Sequence, residues 1–233
     1  MTTRASAHRG DSSVFRENTL PAIRSAIVKG AGCVEVDVRV NADGDVIVLH
    51  DPTLNRLWGL DRVASETSTA ELLQLGDSDH RPPLLNEVLP LFVGVQSRLV
   101  IDMDDVAFAA PAHRVVVDAL SGTDVVVDWC GDINAMRLLR ELDDDARLWL
   151  PWSASRPPTT EELAALTPVT VNSPFPAMTA ELAEHIHAVG STVTVWTVDD
   201  PDRMREAIAM GADTITTNRL DRLHEMLGQE VAR

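Results

Sequence analysis

From Arg98 onward the chain repeats one pattern: a short apolar run, a polar break, then a stretch with apolar residues at helical spacing. The runs fall near residues 98–103, 124–128, 146–150, 168–171, 192–197 and 213–216. Helical stretches follow near 111–120, 132–142, 160–166, 178–189 and 201–210, with a closing one to about 230. Runs that are apolar nearly throughout belong to strands buried on both faces, as in a parallel sheet covered by helices. Two more runs precede them, at 4–7 and 33–38, and Leu20, Ile23, Ile27 and Val28 set a helix between these that closes on Gly30. Eight strand–helix units in 233 residues define an α/β fold, a (β/α)8 TIM barrel. An open, doubly wound sheet would carry a glycine-rich phosphate loop at its first strand–helix turn, and this chain has none there.

The alternation is interrupted once, between Cys33 and Arg56. On a strand, Glu35 and Asp37 share one face while Val34, Val36 and Val38 share the other. Asp43-Gly44 signals a tight turn, and the simplest register about it returns His50 opposite Asp37. A histidine and two carboxylates at one point suit metal ligation or acid/base chemistry; the plain alternative is an exposed hairpin with solvated acids. Residues 52–83 begin irregular and polar, and short helical patterns lie near 69–75 and 86–93. The chain therefore reads as one domain over 1–233, with 39–97 forming a hairpin and insertion over the barrel mouth.

A formal charge of −16 excludes binding to nucleic acid or an anionic membrane surface, because both require a basic face. It does not exclude a small phosphate compound, which responds to a few local arginines and a cation. Lys29 is the only lysine, so positive charge is carried almost wholly by arginine. Cys33 and Cys130, the only two cysteines, lie in apolar runs and read as reduced core thiols. No window has the length and apolarity of a membrane span, and the first ten residues have no apolar leader core. The expectation is a soluble, cytoplasmic protein.

Active sites of such barrels sit at the C-terminal ends of the strands. His8 and Arg9 fall there after the first strand, Glu35 and Asp37 on the second, and His50 on the hairpin rim. Asp102 and Asp104 end the third barrel strand two residues apart, so both can face the axis, Asp104 then joining the cation or meeting a cationic substrate group; the alternative is that Asp104 is a solvated rim acid paired with an arginine such as Arg16. Asn172, Trp196 and Asn218 end later strands. Converging carboxylates without a lysine call for a hard divalent cation, Mg2+ or Ca2+, held by oxygen. His8 and His50 alone have charged neighbours at strand ends, which suits general acid and base work. His80, His113, His185, His187 and His224 read as surface or packing residues. Trp129, Trp149, Trp152 and Trp196 either wall a substrate or fill the wide upper layer of the barrel.

Taken together these motifs resemble the glycerophosphodiester phosphodiesterase family. The matching pieces are HRG at 8–10, ENT at 17–19, EVDV at 35–38, ADG with VIVLHD at 42–51, TLNR at 53–56, PLLNEVL at 83–89, VTVWTVDDP at 193–201 and GADTITTN at 211–218. The resemblance implies a (β/α)8 barrel that splits a small-molecule phosphodiester into sn-glycerol 3-phosphate and an alcohol, with a divalent cation. It implies His8 and His50 as the acid/base pair, Arg9 as a phosphate ligand, Trp196 against the substrate, and Glu35, Asp37 and Asp102 as metal ligands. The family mechanism has a substrate hydroxyl attack phosphorus, giving a cyclic phosphate that water opens.

Three positions depart from the family pattern. Its usual Glu-x-Lys is Asp102-Met103-Asp104 here, the proline before ENT is Arg16, and the Ser-Phe pair of the fourth strand is Trp129-Cys130. Two other readings stay open: a sphingomyelinase D-like lipid phosphodiesterase, and a barrel that binds a ligand without turnover.

Overall fold

A computed structural model of the chain describes residues 3–154 and 156–228. The apolar runs become strands β1 (Arg4–Ala7), β2 (Cys33–Val40), β3 (Val46–Val48), β4 (Arg98–Met103), β5 (Val127–Gly131), β6 (Arg147–Pro151), β7 (Thr170–Pro174), β8 (Thr192–Trp196) and β9 (Thr214–Thr217). All but β3 pair in parallel, and β1 closes the ring by pairing with both β2 and β9. This is the (β/α)8 barrel the repeat predicts, with β3 added antiparallel to β2 as the returning arm of the hairpin.

Helices α1 (Leu20–Val28), α2 (Asn55–Trp58), α3 (Thr69–Leu72), α4 (Leu85–Val88), α5 (Ala109–Leu120), α6 (Ile133–Leu142), α7 (Thr160–Leu166), α8 (Ala180–Ala188), α9 (Pro201–Ala209) and α10 (Leu220–Leu227) complete the chain. Asp132, Thr159, Thr179 and Asp200 accept hydrogen bonds from first-turn amides of α6, α7, α8 and α9. Each such cap is worth about 1 kcal/mol and fixes where the helix starts. The closing helix ends at Leu227; its expected extension to about 230 runs outside the described residues.

The outward faces of the strands, with Val34, Val36, Ile101 and Val193 fully buried, pack against Ile23, Leu89, Met136 and Met204 from the surrounding helices. A second, smaller cluster of Ile47, Leu49, Leu54, Ala64 and Leu72 seats residues 52–83 on the hairpin, so the excursion has its own support over the rim.

Strand boundaries move where the alternation is weak. β5 runs three residues later than the 124–128 expected: the Thr123 amide turns back to the Leu120 carbonyl at 3.0 Å, and the chain meets β4 only where the Leu99 amide donates to the Val126 carbonyl at 3.3 Å. β7 likewise runs to Pro174 rather than ending at 171. These shifts carry Trp129, Cys130 and Asn172 into strands. The hairpin register also differs from the expectation: Val38 faces Val48, so Leu49 and not His50 is opposite Asp37, and its amide donates to the Asp37 carbonyl at 2.9 Å. The turn is a three-residue loop closed between Asn41 and Asp45, with Gly44 at φ +83°, and this third loop residue moves the pairing by one. Among the described residues no helix is long and apolar enough to cross a membrane.

Candidate active site

Parallel register brings Asp37 beside Asp102 and Asp102 beside Cys130 at the upper ends of β2, β4 and β5. Glu35 lies two residues below Asp37 on the same face. The three carboxylates border one cavity of ≈ 210 Å3, with His8, Arg9 and His50 on its rim. Burial, and then the Asp37 and Asp102 charges, push the Glu35 carboxyl well above its ordinary value. Burial and Asp37 likewise raise Asp102 to about 6, against the relief of a hydrogen bond from Cys130 Sγ at 3.2 Å. Among the described residues no three His, Cys, Asp or Glu side chains converge tightly enough to clasp a cation as they stand. The donor set nonetheless fits a hard divalent ion in its chemistry: all-oxygen, buried, and carrying negative charge that the protein only partly offsets.

Arg9 supplies part of that offset. Its amide donates to Glu35 Oε2 at 2.9 Å, Nη1 donates to Glu17 Oε1 at 2.8 Å, and Nε lies 3.2 Å from Asp37 Oδ2 without a hydrogen bond of its own. Its backbone is left-handed, φ +60°, which aims the amide at Glu35 while its carbonyl takes the Asn18 amide at 3.0 Å. Asn18, itself at φ +57°, donates from its side chain to Asp37 Oδ2 at 2.6 Å. The ENT motif thus orients Asp37 through Asn18 and anchors Arg9 through Glu17, roles that no spacing rule assigns. Glu17 also receives Arg56, from TLNR. Burial pushes the Glu17 carboxyl up, but the two guanidiniums outweigh it and hold the net value below the ordinary range.

The two histidines are wired differently. His8 Nδ1 lies 2.8 Å from Asn218 Oδ1, while the Asn218 side-chain amide donates to Asp199 Oδ2 at 2.8 Å and Ser12 Oγ donates to the same Oδ1 at 3.0 Å. With its nitrogen committed to Asp199, the Asn218 oxygen can only accept, so His8 carries its proton on Nδ1 and has Nε2 as the free base. Burial and then the neighbouring Arg9 charge lower the His8 pKa, although Asn218, Asp37 and Glu17 raise it. His50 Nδ1 instead faces a carboxylate, Asp51 Oδ1 at 2.8 Å, which Arg56 also holds. Asp51 and Arg56 sit in the insertion, so this pairing depends on the excursion that covers the rim.

Of the alternatives for Asp104 the structure shows the rim acid paired with an arginine, not a residue facing the axis. β4 stops at Met103, and Asp104 turns outward, 61% exposed, to pair with Arg39 at 2.5 Å. Its partner is not Arg16, whose guanidinium stacks 4.4 Å over the Trp58 ring. Trp149 and Trp196 border the cavity, Trp196 being 43% exposed. Trp129 instead packs beneath α5 beside His113, and Trp152 donates to the Arg156 carbonyl at 2.7 Å, so the four indoles do not form one wall. The Trp196–Thr197 peptide bond is cis. Asn172 reaches the cavity with its Oδ1 buried and unpaired.

The remaining histidines stay outside. His187 meets Asp213, His113 meets Asp143, His80 meets Asp79, and His185 meets the Pro158 carbonyl. His224 is fully buried with neither ring nitrogen bonded, a core residue and not a surface one. A larger cavity of ≈ 600 Å3 opens at the opposite mouth, where Asp128 is occupied by Arg147 and Trp149. It holds no histidine. Of its ionisable groups the Cys33 thiol is pushed, by burial first, to about 12, which leaves it inert.

A (β/α)8 barrel that gathers two histidines, an arginine and buried acids at its C-terminal mouth has the makings of a phosphoric diester hydrolase. The Glycerophosphoryl diester phosphodiesterase family profile matches residues 8–222, and the chain belongs to that family. It is similar to the Probable glycerophosphodiester phosphodiesterase 2 of Mycobacterium tuberculosis, 29% identical with 96% of this chain and 90% of the relative covered. It is also similar to the glycerophosphodiester phosphodiesterase of Caldanaerobacter subterraneus subsp. tengcongensis, 26% identical over 94% and 95% of the two chains. Among solved structures, an Oleispira antarctica phosphodiesterase in complex with the product sn-glycerol-3-phosphate superimposes with a TM-score of 0.88 at 21% identity, over 98% of each chain. That likeness shows the shared fold.

Proposed function

We propose that this enzyme hydrolyses a glycerophosphodiester to sn-glycerol 3-phosphate and an alcohol, with His8 as first base, His50 as first acid and a divalent cation held by Glu35, Asp37 and Asp102. The observation that carries the reading is the opposite wiring of the two histidines across one pocket of carboxylates. Nε2 of His8 is free to take the proton of the attacking hydroxyl, and the ordinary loss of basicity on burial keeps it unprotonated at neutral pH. His50, its Nδ1 oriented by the Asp51 carboxylate, would act on the departing alcohol oxygen through its other ring nitrogen. Water then opens the cyclic phosphate with the two proton roles reversed. A bound cation would supply charge neutralisation at the phosphoryl oxygens. Arg9, already held between Glu17 and Asp37, would meet the same oxygens from the side, and Trp196 would present its exposed ring to the substrate.

The product named in the Oleispira structure supports the glycerol phosphate half of the substrate. The free, buried state of Cys33 and Cys130 supports a reducing, cytoplasmic location. The test is turnover of purified protein on a panel of glycerophosphodiesters with Mg2+, Ca2+, Mn2+ or chelator. Release of sn-glycerol 3-phosphate that chelator abolishes is the expected result; no hydrolysis of any diester with any cation would overturn the reading.

A further inference from the structure

The hairpin ladder ends before the residue whose position matters most. The last pairing is Val38 with Val48, the last hydrogen bond runs from the Leu49 amide to the Asp37 carbonyl, and His50 follows with no strand partner. A ring that must deliver a proton within about 3 Å of its target cannot rely on a free strand end. Its main chain is held by one side chain: Arg39 Nε donates to the His50 carbonyl at 2.7 Å.

Arg39 can do this because β2 outruns its neighbour. β2 continues to Val40 while β4 stops at Met103, so Arg39, two residues after Asp37 and on the same face, stands one level above the cavity. Its side chain is 12% exposed, and its guanidinium spans three elements. Nε reaches the hairpin arm, Nη2 reaches Asp104 Oδ2 beyond the end of β4, and Cζ lies 5.7 Å from the Phe108 ring centroid. Asp104 has no other hydrogen-bond partner among the described residues. The geometry leaves it one role, to hold the far end of the guanidinium fork.

Resting on the proposed role of His50, we infer that Arg39, anchored by Asp104, is a positioning residue that sets where the His50 ring stands. The acid at position 104 then belongs to the same device: it keeps Arg39 turned toward the hairpin, where a basic side chain would repel it. Arg56 acts on the ring from the other side, through Asp51, so His50 hangs between two guanidiniums, one on its main chain and one behind its imidazole.

The experiment compares Arg39→Gln, Arg39→Lys, Asp104→Asn, the double variant Arg39→Gln/Asp104→Asn and His50→Ala. Each is read by kcat and KM, and every protein that keeps His50 also by the NMR line of its ring Cε1–H. Arg39→Gln should lower kcat roughly 10- to 100-fold with KM changed less than about threefold, the size expected for a misplaced proton donor. It should also broaden or shift the His50 line. Arg39→Lys should recover part of both effects, and Asp104→Asn should show a smaller loss of the same kind. The double variant should be no worse than Arg39→Gln, because both act through one contact. An unchanged His50 line and wild-type kcat in Arg39→Gln, while His50→Ala is inactive, would overturn the inference. Full turnover in His50→Ala would overturn the proton-donor role instead, and the NMR line would then decide alone whether Arg39 positions the ring.

Discussion

His8 Nδ1 sits 2.8 Å from Oδ1 of Asn218, a residue 210 positions later in the chain, and this contact fixes which imidazole nitrogen is available for chemistry. Asn218→Ala should therefore lower kcat/KM by at least ~10-fold, since the ring loses its tautomer preference. The acid limb of the kcat/KM profile belongs to His8, whose pKa lies below 6.5 because burial and Arg9 disfavour its charge. Activity should persist as pH falls through 6.5 and fail below it. Because the Asn218 bond raises that pKa, its loss should move the limb to still lower pH. A pH–rate series on the two proteins checks both points.

Replacing either histidine should be far more costly. His8→Ala and His50→Ala are each expected to reduce kcat at least ~100-fold with the fold intact, as both rings stand at the mouth and not in the core. Steady-state kinetics together with circular dichroism and thermal melts separate lost chemistry from lost structure.

Asp102 links the site to stability, with a definite sign. Its pKa is raised to about 6, so the stability it contributes is fully present below its unfolded value near 3.8 and is lost as pH rises through about 6. In chelator at pH 7, Asp102→Asn should thus raise Tm, by roughly 2–4 °C for each kcal/mol recovered in a chain of this size. Added Mg2+ or Ca2+ should raise the wild-type Tm and leave the variant nearly unmoved, by binding linkage. Scanning calorimetry with and without cation is the measurement.

His224 should act in the opposite direction. Burial lowers its pKa and no partner is bonded to either ring nitrogen, so the unfolded chain takes up the proton first. Its contribution is present above pH 6.5 and is lost as pH falls through 6.5 toward the folded value. His224→Leu should flatten that loss, seen as a smaller fall in Tm between pH 7.5 and 5.5 than the wild type shows.

Gly131 ends β5 at φ +113°, and a Cβ there would stand 2.0 Å from the Met103 carbonyl oxygen and 2.8 Å from Asp102 Oδ1. Gly131→Ala should destabilise the protein by at least ~2 kcal/mol, from strained backbone and a clash that only β4 can relieve. Denaturant unfolding measures the loss, and weakened cation affinity by calorimetry would report the displaced Asp102.

The barrel was readable because its strands are apolar on both faces and recur with helices between them, a pattern that a parallel closed sheet requires. His8, Arg9, Glu35, Asp37, His50 and Asp102 were readable because strand ends gather at one mouth, and the structure brings all six to one cavity. Trp129, under α5, and Asp104, on the rim, stayed open in the sequence because a strand's last residue depends on where its neighbour stops, and that is not written in its own alternation. The slip that sets Leu49 opposite Asp37 came from a single loop residue, which periodicity does not see. Asn18, Glu17, Arg39 and Asp199 had no signal in spacing, because they act through contacts made only after folding.

Closure of the ring bears on the base as well. β1 and β9 lie at opposite ends of the barrel's chain order, yet their pairing, Ala7 with Thr217, is what sets His8 beside Asn218. Contacts this distant in sequence must be closed against chain entropy before they stabilise anything. The working base is therefore completed only where the two ends of the chain meet across the β1–β9 seam, and a fragment lacking either end cannot assemble it. Catalysis in this protein doubles as a report that the circle has been completed.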